Sequence, residues 1–267
     1  MFFFLFQGTK HHLTQSITMT ALIIHAVILL LISSLVLAKS GSPPKGHPCV
    51  PYSQPWQAAV YKAFSFYCGA ILLDRKWVLT AAHCKNGLIH VRLGERNLDC
   101  YDGTEQYKHV IKAIVHPGFN HSTHSNDLML LKLMTPARLN CYVQPLGLSS
   151  WRASPGKMCL VSGWGAPINA QSHVPLVLYC ANVKIVSHHQ CEAEYPGQVS
   201  RKMVCAAALE GGTDSCEGDS GGPLVCDGKL QGVVSWGDVP CATSTKPGVY
   251  MDISTYEDWI KKTILEN

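Results

Sequence analysis

An all-β fold, built as a sandwich or a barrel, is what this sequence predicts. Short runs rich in Val, Ile, Leu and aromatic residues recur between Gly, Pro and Asn punctuation, and helical periods are few. The twelve cysteines all fall between Cys49 and Cys241, an even number at irregular spacing with no pair of C-x-x-C motifs. They read as disulfides made in an oxidising compartment rather than as zinc ligands. The 267 residues suffice for one large β domain or two small ones, and 47% apolar composition supplies a packed core. A net charge of +4 from scattered basic residues leaves no nucleic-acid footprint.

Residues 21–38 are almost wholly apolar and end with Val36 and Ala38 at positions suited to signal-peptidase cleavage, so 1–38 is read as a secretory signal. The competing reading is an uncleaved anchor, since this run is at the lower limit for spanning a bilayer. Initiation at Met19 would give a signal of ordinary length without the unusual leader 1–18. Residues 39–48 form a short polar linker or propeptide, and 49–267 the folded domain. Strands are expected at 56–61, 68–73, 89–93, 110–115 and 128–133, then at 158–162, 180–186, 223–226, 230–236 and 248–253. Ser187-His-His-Gln190 and Ser254-Thr-Tyr-Glu257 both have the capping-box spacing of a helix start. The second opens a terminal helix whose Tyr256, Trp259, Ile260 and Ile264 share one face.

Chemistry concentrates in Asp214-Ser-Cys-Glu-Gly-Asp-Ser-Gly-Gly-Pro223. Glycines on both sides of Ser220 allow a tight turn that exposes its hydroxyl and aims the N–H groups of Gly218 and Ser220 at one point. Acyl transfer needs both features, a nucleophile and a place for the oxyanion. A hydroxyl alone is a poor nucleophile, so a base and a buried carboxylate must stand elsewhere. His83 follows the apolar run Trp77-Val-Leu79 within Thr80-Ala-Ala-His-Cys84, among small residues that leave its ring unobstructed. Asp127 stands at the mouth of another apolar strand in Asn126-Asp-Leu-Met-Leu-Leu131. Taken singly, a histidine beside a cysteine reads as structural and an Asp before a strand as a turn residue. Together His83, Asp127 and Ser220 form the set the chemistry requires.

With these motifs in this order the chain resembles the chymotrypsin-like serine proteases over nearly all of residues 49–267. The resemblance rests on Leu79-Thr-Ala-Ala-His-Cys84, Asp127-Leu-Met-Leu-Leu131, Ser162-Gly-Trp-Gly165, Gly218-Asp-Ser-Gly-Gly-Pro223 and Ser235-Trp-Gly237. Within that family it is most similar to the trypsin-like tissue kallikreins, through Ser53-Gln-Pro-Trp-Gln57, Met129-Leu-Leu-Lys-Leu133 and Ser235-Trp-Gly-Asp-Val-Pro-Cys241. The stretch before Asp127 has trypsin's length and lacks the insertion of the glandular members. The resemblance implies two six-stranded antiparallel β-barrels with a C-terminal helix, and a secreted, monomeric serine endopeptidase without stable membrane association. Its partners would be protein or peptide substrates and protein protease inhibitors. It implies that Ser220 attacks, His83 shuttles the proton, Asp127 orients the imidazole, and Gly218 and Ser220 hold the oxyanion. Asp214 would form the floor of the primary pocket, with Gly237 and Gly248 as small walls and Ser235 and Trp236 beside the substrate main chain, so cleavage is expected after Arg or Lys.

The same resemblance implies the bridges Cys49–Cys180, Cys68–Cys84, Cys159–Cys226, Cys191–Cys205 and Cys216–Cys241. A sixth bridge common in the family would join the positions of Arg152 and Ser254, and both halves are replaced here. Cys100 and Cys141 are left for a private bridge, an intermolecular bond or free thiols. No cofactor is required. Glu95, Asp102 and Glu105 match acidic positions of a calcium loop, whose alternative is a solvated acidic loop, the reading preferred here. Asn120-His-Ser122 is a glycosylation sequon. One feature departs from the pattern. Activation should free an Ile or Val amine to pair with Asp219, and the count back from Cys49 places that terminus at Pro43, in Pro43-Pro44-Lys45-Gly46. Cutting after Lys39 or Lys45 gives a tail too long or too short. A catalytically silent, zymogen-like binding protein is therefore the second functional reading.

Overall fold

The computed structural model describes residues 46–165, 177–208, 219–237 and 246–267. The signal segment, Met19, most of the linker with Pro43, and Asp214, Cys216, Gly218 and Cys241 lie outside the described residues. Six antiparallel strands close the first barrel: β2 (Gln57–Lys62), β3 (Ser65–Leu72), β4 (Trp77–Thr80), β5 (Ile89–Leu93), β6 (Gln106–Val115) and β7 (Met129–Leu133), in the order β2-β3-β4-β7-β6-β5. The second is made by β8 (Met158–Gly163), β9 (Tyr179–Val186), β10 (Met203–Ala208), β11 (Pro223–Cys226), β12 (Lys229–Trp236) and β13 (Gly248–Asp252). Their order is β9-β10-β13-β12-β11-β8, and a β8–β9 pairing shuts the ring. The short strand β1 (His47–Pro48) lies along β9. Closure leaves neither set of six an open edge, the hazard of an isolated sheet.

The sequence dictates much of this locally. Branched and aliphatic side chains fill the first barrel, where Val60, Ile71, Leu79, Val91 and Leu130 are fully buried; trimming Ile71, Leu79 or Leu130 to Ala would cost about 2–5 kcal/mol. Asp227 and Gly228 join β11 to β12 with positive φ at both residues, which a two-residue hairpin turn demands. The expected capping box at Ser187 is present: its hydroxyl accepts from Gln190 N and opens α1 (His188–Glu194). The one at Ser254 is not. Asp252 accepts from Ser254 N and diverts residues 253–255 into a 3-10 turn, so α2 (Glu257–Glu266) begins behind Tyr256 without a side-chain cap. Tyr256 and Ile260 are buried, and Trp259 and Ile264 pack at the margin of the same core.

Four expected bridges form, Cys49–Cys180, Cys68–Cys84, Cys159–Cys226 and Cys191–Cys205. Cys100 and Cys141 are exposed and unbridged, so of the three alternatives open for them the private bridge is not formed, and an intermolecular bond or free thiols remain. At the site of the absent sixth bridge, Arg152 and Ser254 still meet. Arg152 Nε donates to Asp252 Oδ2 at 2.5 Å, and Ser254 Oγ donates to Asp252 Oδ1 at 2.8 Å. A fully buried carboxylate thus stands between the two positions.

Candidate active site

His83 leaves β4 in a single 3-10 turn, Ala82–Cys84, and the Cys68–Cys84 bridge ties that turn back to β3. Closing a loop of this size stabilises by about 3 kcal/mol. Asp127 stands two residues before β7, directly after Asn126, whose backbone is left-handed (φ 55°). The two residues meet closely. Asp127 Oδ1 accepts from the His83 backbone N–H at 2.9 Å, and Oδ2 lies 2.7 Å from His83 Nδ1. An ionised carboxylate only accepts, so the Nδ1 proton belongs to the imidazole and Nε2 is left as the basic nitrogen. Ser235 Oγ, from β12 in the other barrel, donates to the same Oδ2 at 2.5 Å. Burial by itself would raise the Asp127 carboxyl, but the contacts from His124, His83 and Ser235 outweigh it and hold the carboxyl well below the usual range.

Ser220 comes to this place because glycines let two barrels touch. Its carbonyl accepts from Gly69 N at 2.9 Å, and Gly221 N donates to Val234 O at 2.9 Å. Gly221 has φ 81°, and a Cβ there would lie 2.1 Å from Thr80 Oγ1 and 2.5 Å from Gly69 O. No other residue fits. Thr80, just before the turn that carries His83, donates to Gly69 O of β3, so the serine segment is clamped against the support of that turn. Asp219 is lodged on the motif Ser162-Gly-Trp-Gly165: its Oδ1 accepts from Gly165 N at 2.8 Å, and a Cβ on Gly163 would fall 1.9 Å from that oxygen.

The expected pocket walls also come together, since a Cβ on Gly237 would lie 3.7 Å from Gly248 Cα. Trp236 packs edge-on against Tyr195 with centroids 4.9 Å apart, and it walls a cleft of about 290 Å³ shared with residues 122–125 and 197–200. Asn120 is exposed on the loop leading into that cleft. Two further side chains, Ser235 and His124, face Asp127. Ser235, expected to offer its backbone to the substrate main chain, has a further contact through its side chain, which is buried on Asp127. His124 belongs to no sequence motif, and its Nδ1 lies 3.6 Å from Asp127 Oδ2.

The acidic loop is only partly free to hold a cation. Arg96 spans Asp102 with Nε at 2.8 Å from Oδ2 and the second guanidinium contact at 3.2 Å from Oδ1. Glu95 Oε1 and Glu105 Oε2 are buried without a hydrogen-bond partner among the described residues, and burial raises the Glu95 carboxyl. Carboxylate oxygens suit a hard cation, but Glu95, Asp102 and Glu105 do not bring three ligand atoms together among the described residues. Asp102 would first have to leave its guanidinium.

The sequence profile of the Trypsin family matches residues 44–260. The chain belongs to the trypsin family. It is a serine endopeptidase of the trypsin-like class, and its two barrels are those of the trypsin-like fold. Human kallikrein-15 is 48% identical over 233 residues, covering 84% of this chain and 91% of that protein. Human kallikrein-8 is 50% identical over 222 residues, with coverages of 82% and 85%, and the anionic trypsin of the dog, Canis lupus familiaris, is 46% identical with 83% and 89%. Among solved structures, neuropsin, a serine protease expressed in the limbic system of mouse brain, superposes with a TM-score of 0.78 at 46% identity, covering 83% of this chain and all of that one.

Proposed function

We propose that this trypsin-family member is a secreted, monomeric endopeptidase that cuts protein or peptide chains after Arg or Lys through an acyl-enzyme at Ser220. The observation that carries the reading is the closed contact among His83, Asp127 and Ser235, with Asp127 fully buried. His83 Nε2 takes the Ser220 proton as the hydroxyl attacks, the Gly218 and Ser220 amides hold the oxyanion, and the imidazolium, steadied by Asp127, returns the proton to the leaving amine. No cofactor enters these steps. Asp214 gives a basic side chain its counter-charge, and the facing glycines Gly237 and Gly248 leave room for the long stem. Residues 1–38 direct export, 39–48 act as the propeptide, Asn120 carries a glycan, and protein protease inhibitors bind the same cleft.

A silent, binding-only protein is the second reading, favoured by Pro43-Pro44 where a free Ile or Val amine is expected. Against it, Asp219 is already seated on the Gly165 amide. The secreted chain, before and after limited trypsin treatment, separates the two when offered peptides that differ only in the residue before the scissile bond. Turnover confined to Arg and Lys is expected. Preference for Phe or Leu would refute the Asp214 pocket, and silence in every state, with Ser220 unlabelled by a fluorophosphonate, would favour the binding protein.

A further inference from the structure

A second imidazole stands at the triad carboxylate. His124 lies in left-handed backbone (φ 51°), and Asn126 repeats that conformation two residues later. Left-handed backbone is uncommon for non-glycine residues, and two such positions in three residues fold this loop back sharply. The fold-back brings His124 Nδ1 to 3.6 Å from Asp127 Oδ2, the oxygen already contacted by His83 and Ser235. That distance is too long for a hydrogen bond but short for a charge contact. His124 Nδ1 is closed to solvent and has no hydrogen-bond partner among the described residues, although 32% of the side chain is exposed through the rest of the ring. The His83 and His124 rings meet edge-on with centroids 5.7 Å apart.

We propose that His124 is a positioning residue that competes with His83 for Asp127 and thereby sets the pH below which the site shuts down. The inference rests on His83 serving as the base. The carboxylate favours the proton on His83, because imidazolium beside an anion is stabilised. A second N–H or positive charge directed at the same oxygen weakens that attraction and, once protonated, repels the His83 imidazolium. Both effects make His83 release its proton at lower pH. Few other charges intrude among the described residues facing His124. From its own loop come His121, ring centroid 6.2 Å away, and Asp127; from the turn after β4 comes His83. The second barrel offers uncharged Gly197, Gln198, Val199, Ser200 and Trp236, and beyond them Lys202, which donates to Asn126 Oδ1 at 3.3 Å.

The test follows the rate at which a fluorophosphonate labels Ser220 as a function of pH, alongside the low-field proton resonance of the His83 Nδ1–H, which needs no turnover. His124→Asn and His124→Gly both tolerate the left-handed backbone, so a loss of folding is not expected, and thermal melts check it. Both variants should move the acid limb of labelling, and the titration of the resonance, upward by about half a pH unit to one unit. His121→Gln should leave both unmoved. Labelling with an unshifted limb in the two His124 variants overturns the inference while leaving the protease reading intact. Wild-type protein that never labels but shows the resonance, with the shift in the variants, sinks the protease reading and keeps the His124 contact. Absence of the resonance from folded wild-type protein overturns both.

Discussion

Asp127 and Asp252 are carboxylates of equal burial in the same chain, each fully shielded from water, and they are put to opposite uses. Asp252 faces a permanent cation. Arg152 Nε approaches it at 2.5 Å, and Gln231 Nε2, Ser254 N and Ser254 Oγ occupy the other oxygen. Asp127 is given dipoles and an imidazole instead, through His83 and Ser235. A guanidinium neutralises its partner at every pH of interest, so Asp252 can only hold structure together. An imidazole leaves the carboxylate's field uncompensated until a proton arrives, which is what the acyl transfer proposed for this site would require. Burial alone therefore says little about a charged residue's role; the partner's ability to change charge decides it.

Removing the charge from each carboxylate's pairing should separate the two roles. Asp127→Asn is expected to lower kcat by roughly four orders of magnitude, as the corresponding change does in this family's triad, because the amide favours the wrong imidazole tautomer. Steady-state kinetics on an Arg peptide measure it, and a loss under tenfold would mean that Asp127 does not orient the base. The same variant should also soften acid unfolding. A carboxyl held below its usual range stabilises the fold above the unfolded value near 4 and loses that contribution as pH falls through the folded one. Arg152→Ala is the mirror experiment. It strands Asp252 in the interior and should cost about 2–3 kcal/mol in chemical denaturation, less than the roughly 3–5 kcal/mol of a fully buried pair because the Arg152 side chain is 39% exposed. Per-site turnover of the folded fraction should be unchanged.

Much of this arrangement was legible in the sequence where chemistry demands rare residues at fixed places. Taken singly, His83 after an apolar run and Asp127 before one read as structural; their order with the glycine-flanked Ser220 marks them as candidates, and the structure brings His83 and Asp127 into contact. What escaped depends on contacts across the barrels. β10, Met-Val-Cys-Ala-Ala-Ala, holds the centre of the second barrel between β9 and β13, yet its alanines carry no strand preference of their own. Ser235 reads as one more hydroxyl until β12 is laid against the first barrel. Ser254 has the spacing of a helix cap, but Asp252 two residues earlier reaches its N–H first. His124 is brought to Asp127 only by the left-handed turns at residues 124 and 126. The terminus paired with Asp219 by the family's activation is the opposite case. There the sequence itself breaks the pattern at Pro43, and the break was visible at once.

A third Arg–Asp pair extends the comparison towards solvent and carries the smallest effect. Arg96 and Asp102 form a forked contact with side chains 34% and 18% exposed, so the pair alone is worth well under about 1 kcal/mol. Its consequence lies in what it withholds. While Arg96 occupies both oxygens of Asp102, the orphaned oxygens of Glu95 and Glu105 lack the third carboxylate that would make a calcium cage. Millimolar calcium should therefore shift the melting temperature of the wild-type protein by less than about 2 °C, whereas Arg96→Ala, slightly less stable in EDTA, should gain more than that when calcium is added. Thermal melts of both proteins with and without the ion decide it. A wild-type shift as large as the variant's would mean that Asp102 leaves its guanidinium readily, and that an ion, not an arginine, is the natural counter-charge of this loop.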